Sequence, residues 1–283
     1  MANILKGALV ADRIYEDLWK RSEILKGKGI EPCLCILRLG EETGDVSYER
    51  AVKKAACRAG VELVLKSMSR DCSQDELMTQ IRQINEDDKI HGCLMFRPLP
   101  KQLDEDAACQ ALDPAKDLDG MGSASLARVF TGRGEGFCPC TAQAVMEMLR
   151  ERAVDLRGKN VAVLGRSLVI GRPVAMLLMQ ENATVTICHS ATKNMAEICR
   201  KSDIIVSAMG RGRSIGRDYL SPGQILIDVG VSPAPEGGIC GDFDMEAAEE
   251  LAEAVTPVPG GVGSVTAAVL LKHCVEAAER RSL

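Results

Sequence analysis

The stretch Lys159-Asn160-Val161-Ala162-Val163-Leu164-Gly165-Arg166-Ser167-Leu168-Val169-Ile170-Gly171-Arg172-Pro173 decides the fold. Val161 to Leu164 is an apolar run without alternation, the pattern of a parallel strand buried on both faces. It breaks at Gly165, and beyond Gly171 apolar residues resume at helical spacing through Val174, Leu177 and Leu178. Strand, glycine turn and helix start in this order form a dinucleotide-binding βα unit. The glycines let the backbone approach a pyrophosphate, and the free N–H groups of the helix start favour its negative charge. The spacing is Gly-x-Ser-x-x-x-Gly rather than Gly-x-Gly-x-x-Gly, so the pattern by itself is weak and its surroundings decide.

Those surroundings alternate strand and helix in both directions. Upstream, a helical pattern over 5–26 precedes a strand over 31–39, a helix over 46–59 and a strand over 61–68. Ser73-Gln74-Asp75-Glu76 is a capping box that opens a helix to about Asn85. A strand over 91–96 then ends at Pro98-Leu99-Pro100, and a short helix covers 105–112. The polar loop Asp113 to Gly120 lies where ligands bind in open parallel sheets, beyond the carboxyl end of a strand. A mixed segment leads into a bridging helix over 142–152. Downstream of the opening stretch come strands over 184–188, 204–207 and 225–229, helices over 172–180, 194–201 and 245–252, a glycine-rich loop over 256–266 and a last helix over 267–280. The fold class is α/β in two domains, an N-terminal open parallel sheet and a C-terminal Rossmann-type dinucleotide-binding domain.

Composition narrows the function. A chain of 283 residues has room for two domains, and 46% hydrophobic with 27% charged residues is ordinary globular composition. A net charge of -5 excludes nucleic-acid binding driven by phosphate neutralisation. No apolar run reaches the roughly 20 residues that span a bilayer, and the N-terminus lacks a signal-peptide layout, so a cytoplasmic protein is expected. The 12 cysteines are scattered without Cys-x-x-Cys, and only His91, His189 and His273 accompany them. Buried thiols are therefore expected, and no metal site.

In a NAD site an acidic residue about 20 positions past the glycines binds the ribose hydroxyls. Here the second strand ends Ile187-Cys188-His189-Ser190 without a carboxylate, and Arg166 lies in the turn. A cation and a hydroxyl without a repelling carboxylate suit the extra phosphate of NADP, with NAD as the alternative. The plainer reading leaves Arg166 in solvent, Ser190 capping a turn and His189 positioning it.

Several motifs together resemble the methylenetetrahydrofolate dehydrogenase/methenyltetrahydrofolate cyclohydrolase family. They are Gly165-Arg166-Ser167…Gly171-Arg172-Pro173, Ala183 to Ser190, Ile227-Asp228-Val229-Gly230 and Thr256-Pro257-Val258-Pro259-Gly260-Gly261-Val262-Gly263. Lys116-Asp117-Leu118-Asp119-Gly120 and Pro139-Cys140-Thr141 match in the other half. The resemblance implies a homodimer with the folate in a cleft between a catalytic domain (1–140 with 267–283) and an NAD(P)-binding domain (141–266). It implies that the last helix returns to the first domain. Gly165, Arg166, Ser167, Ser190 and Val231 would touch NADP, Tyr48 and Asp119 would be catalytic, and Tyr48, Phe96, Asp119, Pro257, Gly260 and Gly261 would line the folate site. The family moves a hydride from methylenetetrahydrofolate to the nicotinamide, then hydrolyses the methenyl cation.

The chain departs from the family where hydrolysis is concerned. A Tyr-x-x-x-Lys pair on the second helix is expected, but Val52 follows Tyr48 at that distance. Lys53 and Lys54 point ~100° and ~200° away from the Val52 direction. Phe96 stands where the family carries a Gln, Asp45 where Ser is usual, and Ser264 where Pro is usual. Losing Lys and Gln together is coherent, since an amide stripped of its cation would be buried and unsatisfied, whereas Val and Phe fill the space and Phe96 could stack on the pterin. Arg97 either grips a folate tail or faces solvent, and Tyr48 and Asp119 could instead be a core residue and a turn cap. The expectation is an NADP-dependent dehydrogenase with weak or lost cyclohydrolase. The alternatives are a catalytically inactive folate- or nucleotide-binding homologue, a fully bifunctional enzyme, and a dehydrogenase of another substrate.

Overall fold

The computed structural model describes residues 1–281 of the chain. In chain order the elements are β1 (Asn3–Ile4), α1 (Gly7–Gly27), β2 (Cys33–Leu39), α2 (Thr43–Ala59), β3 (Glu62–Met68), α3 (Gln74–Glu86), β4 (Gly92–Met95), α4 (Glu105–Ala111), α5 (Ser123–Thr131) and α6 (Cys140–Glu151). They continue as β5 (Asn160–Leu164), α7 (Gly171–Gln180), β6 (Thr184–Cys188), α8 (Met195–Arg200), β7 (Ile204–Ser207), β8 (Ile225–Asp228), β9 (Ser232–Pro233), β10 (Ile239–Cys240), α9 (Met245–Leu251), β11 (Ala254–Val255) and α10 (Gly263–Arg280). Residues 13–140 with the segment from Ala267 form one compact unit, and residues 1–12 with 141–266 form the other.

The first unit holds a three-stranded parallel sheet in the order β3-β2-β4. All seven residues of β2 are buried, as suits a central strand that is apolar except for Arg38, which pairs with Glu49. Cys33, Cys35, Leu37 and Leu39 pack on one face with Leu77, Ile81 and Ile84 of α3. Alternation sends Leu34, Ile36 and Arg38 to the other. The expected capping box opens α3: Ser73 Oγ accepts from Glu76 N, and Glu76 returns the bond to Ser73 N at 2.7 Å. At its far end the buried Lys116 ammonium donates to the carbonyls of Ile84, Asn85 and Asp87 at 2.7–2.8 Å. A cation there satisfies carbonyls that the helix leaves open.

The second unit holds a six-stranded, all-parallel sheet in the order β1-β11-β8-β7-β5-β6. β5 lies between β6 and β7, so the chain leaves it first to one side and then to the other. This is the topological switch point at which such sheets bind ligands, and the glycine turn follows it directly.

Three expectations need correction. Residues 1–12 belong to the second unit and not the first: Asn3 and Ile4 pair with Ala254 and Val255 at the sheet edge, and Gly7 N donates to Gly260 O at 2.8 Å. The mixed segment after Gly120 contains α5, a short helix in which only Ser125 and Val129 are buried. The last helix starts at Gly263 rather than Ala267.

Candidate functional site

In the six-stranded unit the site is made of backbone. Gly165 adopts φ +118°, and a Cβ there would lie 2.5 Å from Ala208 O. A Cβ on Gly171 would lie 2.2 Å from Gly165 O. Only glycine lets the turn fold this tightly onto the strand ends. Ser167 Oγ accepts from Ile170 N at 3.1 Å, and Arg166 and Ser167 are exposed. No side chain caps the start of α7; Arg172 N donates to Ser167 O at 3.1 Å and Pro173 carries no N–H, so Gly171 N is the donor left for an anion there. The cradle therefore fits a pyrophosphate. At the end of β6, His189 Nδ1 accepts from Ala191 N at 3.2 Å, so this histidine shapes the turn while Ser190 is exposed.

Val231, Pro257, Gly260 and Gly261 come together around one cavity of about 420 Å³, with Ile170 of the glycine turn and Asp228 also in its wall. Gly260 has φ +103°, and a Cβ on Gly261 would meet Pro257 O at 2.5 Å, so both glycines serve the loop's tight path. Two buried carboxylates brace this region. Asp228 accepts from Gly230 N and Phe243 N, each at 3.0 Å. Burial pushes its carboxyl up to about 6, against those stabilising hydrogen bonds. Asp242 accepts from Ser207 Oγ at 2.7 Å, Met209 N at 2.8 Å and Arg211 N at 2.6 Å, fixing the loop that carries Ala208. The role of Asp242 went unseen in the sequence because it depends on a hydroxyl and two backbone donors 31 to 35 positions away.

In the three-stranded unit the site is made of side chains. The Lys116–Gly120 loop divides its labour. Lys116 caps α3, and Asp117 accepts from Met121 N, Gly122 N and Ser125 Oγ at 2.8–3.1 Å. Gly120 takes φ +68° with the Phe137 carbonyl 2.5 Å from a would-be Cβ. Asp119 is left half-buried and pointing elsewhere: Arg97 Nη2 meets it at 3.2 Å, while Arg97 Nη1 reaches Glu105 at 3.5 Å. Arg97 thus neither faces solvent nor lies free for a ligand tail. Burial pushes the Asp119 carboxyl up, opposed by Arg97.

Tyr48 lies on α2, 42% exposed, with its ring centroid 5.4 Å from that of Phe96. Desolvation, and then Cys140 and Asp119, push the phenol above its ordinary range, so it is neutral at physiological pH. Phe96 is only 7% exposed and packs tilted against Tyr48, so its face is spent there rather than open to a flat ligand. Val52, one turn beyond Tyr48, is fully buried, whereas Lys53 and Lys54 are exposed. Below this face His273 of α10 is buried, with Nδ1 2.9 Å from Leu118 O and its ring stacked on Phe137. Burial lowers it to about 4.

Two family models account for the chain: the catalytic domain of tetrahydrofolate dehydrogenase/cyclohydrolase matches residues 5–119, and its NAD(P)-binding domain matches residues 139–282. The chain belongs to this family. It is 46% identical over 281 residues to the bifunctional protein FolD of Carboxydothermus hydrogenoformans, covering 99% of this chain and 98% of that one. The Alkaliphilus oremlandii FolD is 44% identical over 277 residues, covering 98% and 97%. Among solved structures, the bifunctional FolD methylenetetrahydrofolate dehydrogenase/cyclohydrolase of Campylobacter jejuni superposes with a TM-score of 0.96 at 34% identity, covering 99% and 100%. The Trypanosoma brucei enzyme, solved with NADP cofactor and inhibitor, gives 0.93 at 35%, covering 99% and 98%. Among the described residues no helix is long and apolar enough to cross a membrane, and no cluster of metal-binding side chains occurs. All 12 cysteines are free, and Cys57 alone is exposed.

Proposed function

We infer that this member of the family is an NADP-dependent methylenetetrahydrofolate dehydrogenase whose cyclohydrolase step is weakened. The observation that carries the reading is the contrast between a complete glycine cradle at the switch point and a folate face whose Val52 and Phe96 positions are apolar and buried. When bound, NADP supplies the acceptor for the hydride. Gly165 and Gly171 N at the start of α7 would receive the pyrophosphate, and Arg166 with Ser190 would receive the ribose phosphate. Ser167 holds the turn, and Val231 packs against the cofactor beside the loop of Pro257, Gly260 and Gly261. The Trypanosoma brucei relative solved with NADP supports this choice over NAD.

Asp119 takes the pterin, since a carboxylate matches adjacent N–H donors on one heterocycle edge. Tyr48, neutral and partly exposed, gives the ring a wall and a hydroxyl, and Phe96 acts through Tyr48 by packing behind it. Hydride transfer needs orientation above all, which these groups provide. Hydrolysis needs proton handling by polar groups of tuned pKa. A Lys–Gln pair is missing from this face, and the exposed Lys53 and Lys54 lie off it. The protein is further taken to act as a homodimer: β3 is an edge strand with Val64 and Leu65 more than a third exposed, an open edge suited to a second copy.

The second reading, full bifunctionality, is favoured by the relatives at 40–46% identity, which are named bifunctional. Two assays separate them. NADP reduction with methylenetetrahydrofolate is expected in both, and its absence alongside measurable nucleotide binding would show a protein that only binds. Enzyme-dependent decay of methenyltetrahydrofolate is expected near the buffer rate for the weakened reading, and well above it for the bifunctional one. The double change Val52→Lys with Phe96→Gln is expected to raise that decay about tenfold while lowering Tm, because Val52 is fully buried.

A further inference from the structure

We propose that Arg97 is a positioning residue that holds Asp119 as an aligned, ionised carboxylate toward the folate, with Glu105 as its anchor. The proposal deepens the assignment of folate to the Asp119 face and rests on it.

The geometry is a short relay. Leu99 N donates to Glu105 Oε2 at 2.8 Å, which fixes the carboxylate at the start of α4. Glu105 Oε1 receives Arg97 Nη1 at 3.5 Å, and the other terminal nitrogen, Nη2, meets Asp119 Oδ2 at 3.2 Å. The guanidinium is therefore held at both ends, with side-chain exposure of only 18%. A planar, two-pronged cation suits this bridging, which a lysine ammonium matches only as a point charge.

Other cations of this unit are engaged elsewhere or turned away. Arg38 is buried against Glu49, 2.9 Å away, and its Nη1 donates to Gly40 O. Lys116 is spent on the end of α3, and Lys53 and Lys54 are exposed. Among the described residues, Arg97 is the cation in contact with Asp119. Of the remaining groups facing Asp119, the Cys140 thiol aids its charge by a hydrogen bond and counts for less than Arg97; Asp117 repels it, the Tyr48 phenol is neutral, and burial disfavours ionisation.

Arg97 also has a direction to enforce. With Oδ2 engaged, the Asp119 carboxylate cannot spin freely, so its other oxygen keeps one bearing. A ligand that donates two parallel N–H groups gains from that fixed plane. Loss of Arg97 therefore does two things: it lets the carboxylate rotate and it moves its protonation toward neutral pH.

The test is the affinity of the full-length protein for tetrahydrofolate, kept anaerobic, from pH 6 to 9, read by titration calorimetry. The parent is expected to hold its affinity to lower pH than the Arg97 and Glu105 variants. Arg97→Leu is expected to lose affinity about tenfold per pH unit below a midpoint displaced upward by about one unit, with the loss small at pH 9. Arg97→Lys should return the midpoint most of the way, and Glu105→Gln should move it in the same direction as Arg97→Leu but by less. NADP affinity is the folding control.

A loss in Arg97→Leu that is equal at every pH, or no loss at all, overturns the proposal. Should that variant fail to fold, Glu105→Gln decides on the same criterion. A parent that binds tetrahydrofolate but reduces no NADP overturns the dehydrogenase assignment and leaves Arg97 to be judged by the midpoint shift. A parent that does not bind tetrahydrofolate overturns both.

Discussion

The glycine turn of the six-stranded unit and the Tyr48–Asp119 face of the three-stranded unit prepare for ligands by different means. The first offers backbone: absent side chains at Gly165 and Gly171 and an uncapped helix start. The second offers side chains, and each depends on a partner, Asp119 on Arg97 and Tyr48 on Phe96. A backbone cradle tolerates change everywhere except at the atoms it has removed. A side-chain constellation can be rewired one partner at a time. The two regions therefore differ in what a single substitution does to them, and that difference can be measured.

The largest expected effect is at the cradle. Gly165→Val places a branched side chain at φ +118° with its Cβ 2.5 Å from Ala208 O. NADP affinity is expected to fall more than about 100-fold, about 3 kcal/mol or more, while tetrahydrofolate affinity stays within about threefold. Circular dichroism checks that the variant is folded. A loss of less than about threefold in NADP affinity would break the claim that glycine shape makes this site.

The same contrast explains what was legible in the sequence. A βα unit announces itself locally, through Val161–Leu164, Gly165 and Gly171, because one short stretch contains strand, turn and helix start. The capping box at Ser73 was equally local. The β1–β11 pairing was not, since two-residue strands carry no periodicity and their partners lie about 250 positions apart. Asp119 was found by resemblance, but its partner was not: Arg97 and Asp119 are 22 positions apart, and no spacing rule joins a residue after β4 to one in a loop beyond α4. Val52 and Phe96 were informative by what they lacked, and their burial shows that the space was filled rather than left open.

Acid separates the two units next, at about 3 kcal/mol each and with opposite sign. Asp228, in the six-stranded unit, has its pKa raised from 3.8 to about 6 by burial. Its contribution to stability is fully present below pH 4 and is lost as pH rises to about 6, because burial disfavours the charged form by more than the backbone hydrogen bonds favour it. His273, in the three-stranded unit, is lowered from 6.5 to about 4, again by burial. Its contribution is present above pH 6.5 and is lost as pH falls to about 4, because the ring must then charge. Each shift of about two units corresponds to about 3 kcal/mol. Chemical denaturation compares each variant with the parent across this range. Asp228→Asn is expected to gain on the parent between pH 4 and 7, and His273→Gln to gain as pH falls from 7 to 4. Parallel curves for both variants would mean that neither buried group titrates as argued.

The smallest expected effect tests the missing lysine. Lys53 and Lys54 are the nearest lysines to the vacant position on α2, and both are exposed, while Val52, Ala55 and Ala56 form the buried stripe. A lysine stem spans several ångströms, so a flexible side chain on the neighbouring face has to be ruled out by experiment. Helix geometry sets Lys53 ~100° and Lys54 ~200° from Val52, and reaching the Tyr48 face would mean wrapping around the helix past its own buried side. Lys53→Met and Lys54→Met, alone and together, are therefore expected to change stability by no more than about 0.5 kcal/mol. They should leave the tetrahydrofolate affinity and both enzymatic rates within about twofold. Loss of methenyltetrahydrofolate hydrolysis in either variant would mean that the cation has moved along the helix instead of vanishing, and the folate face would then be as fully equipped as the cradle.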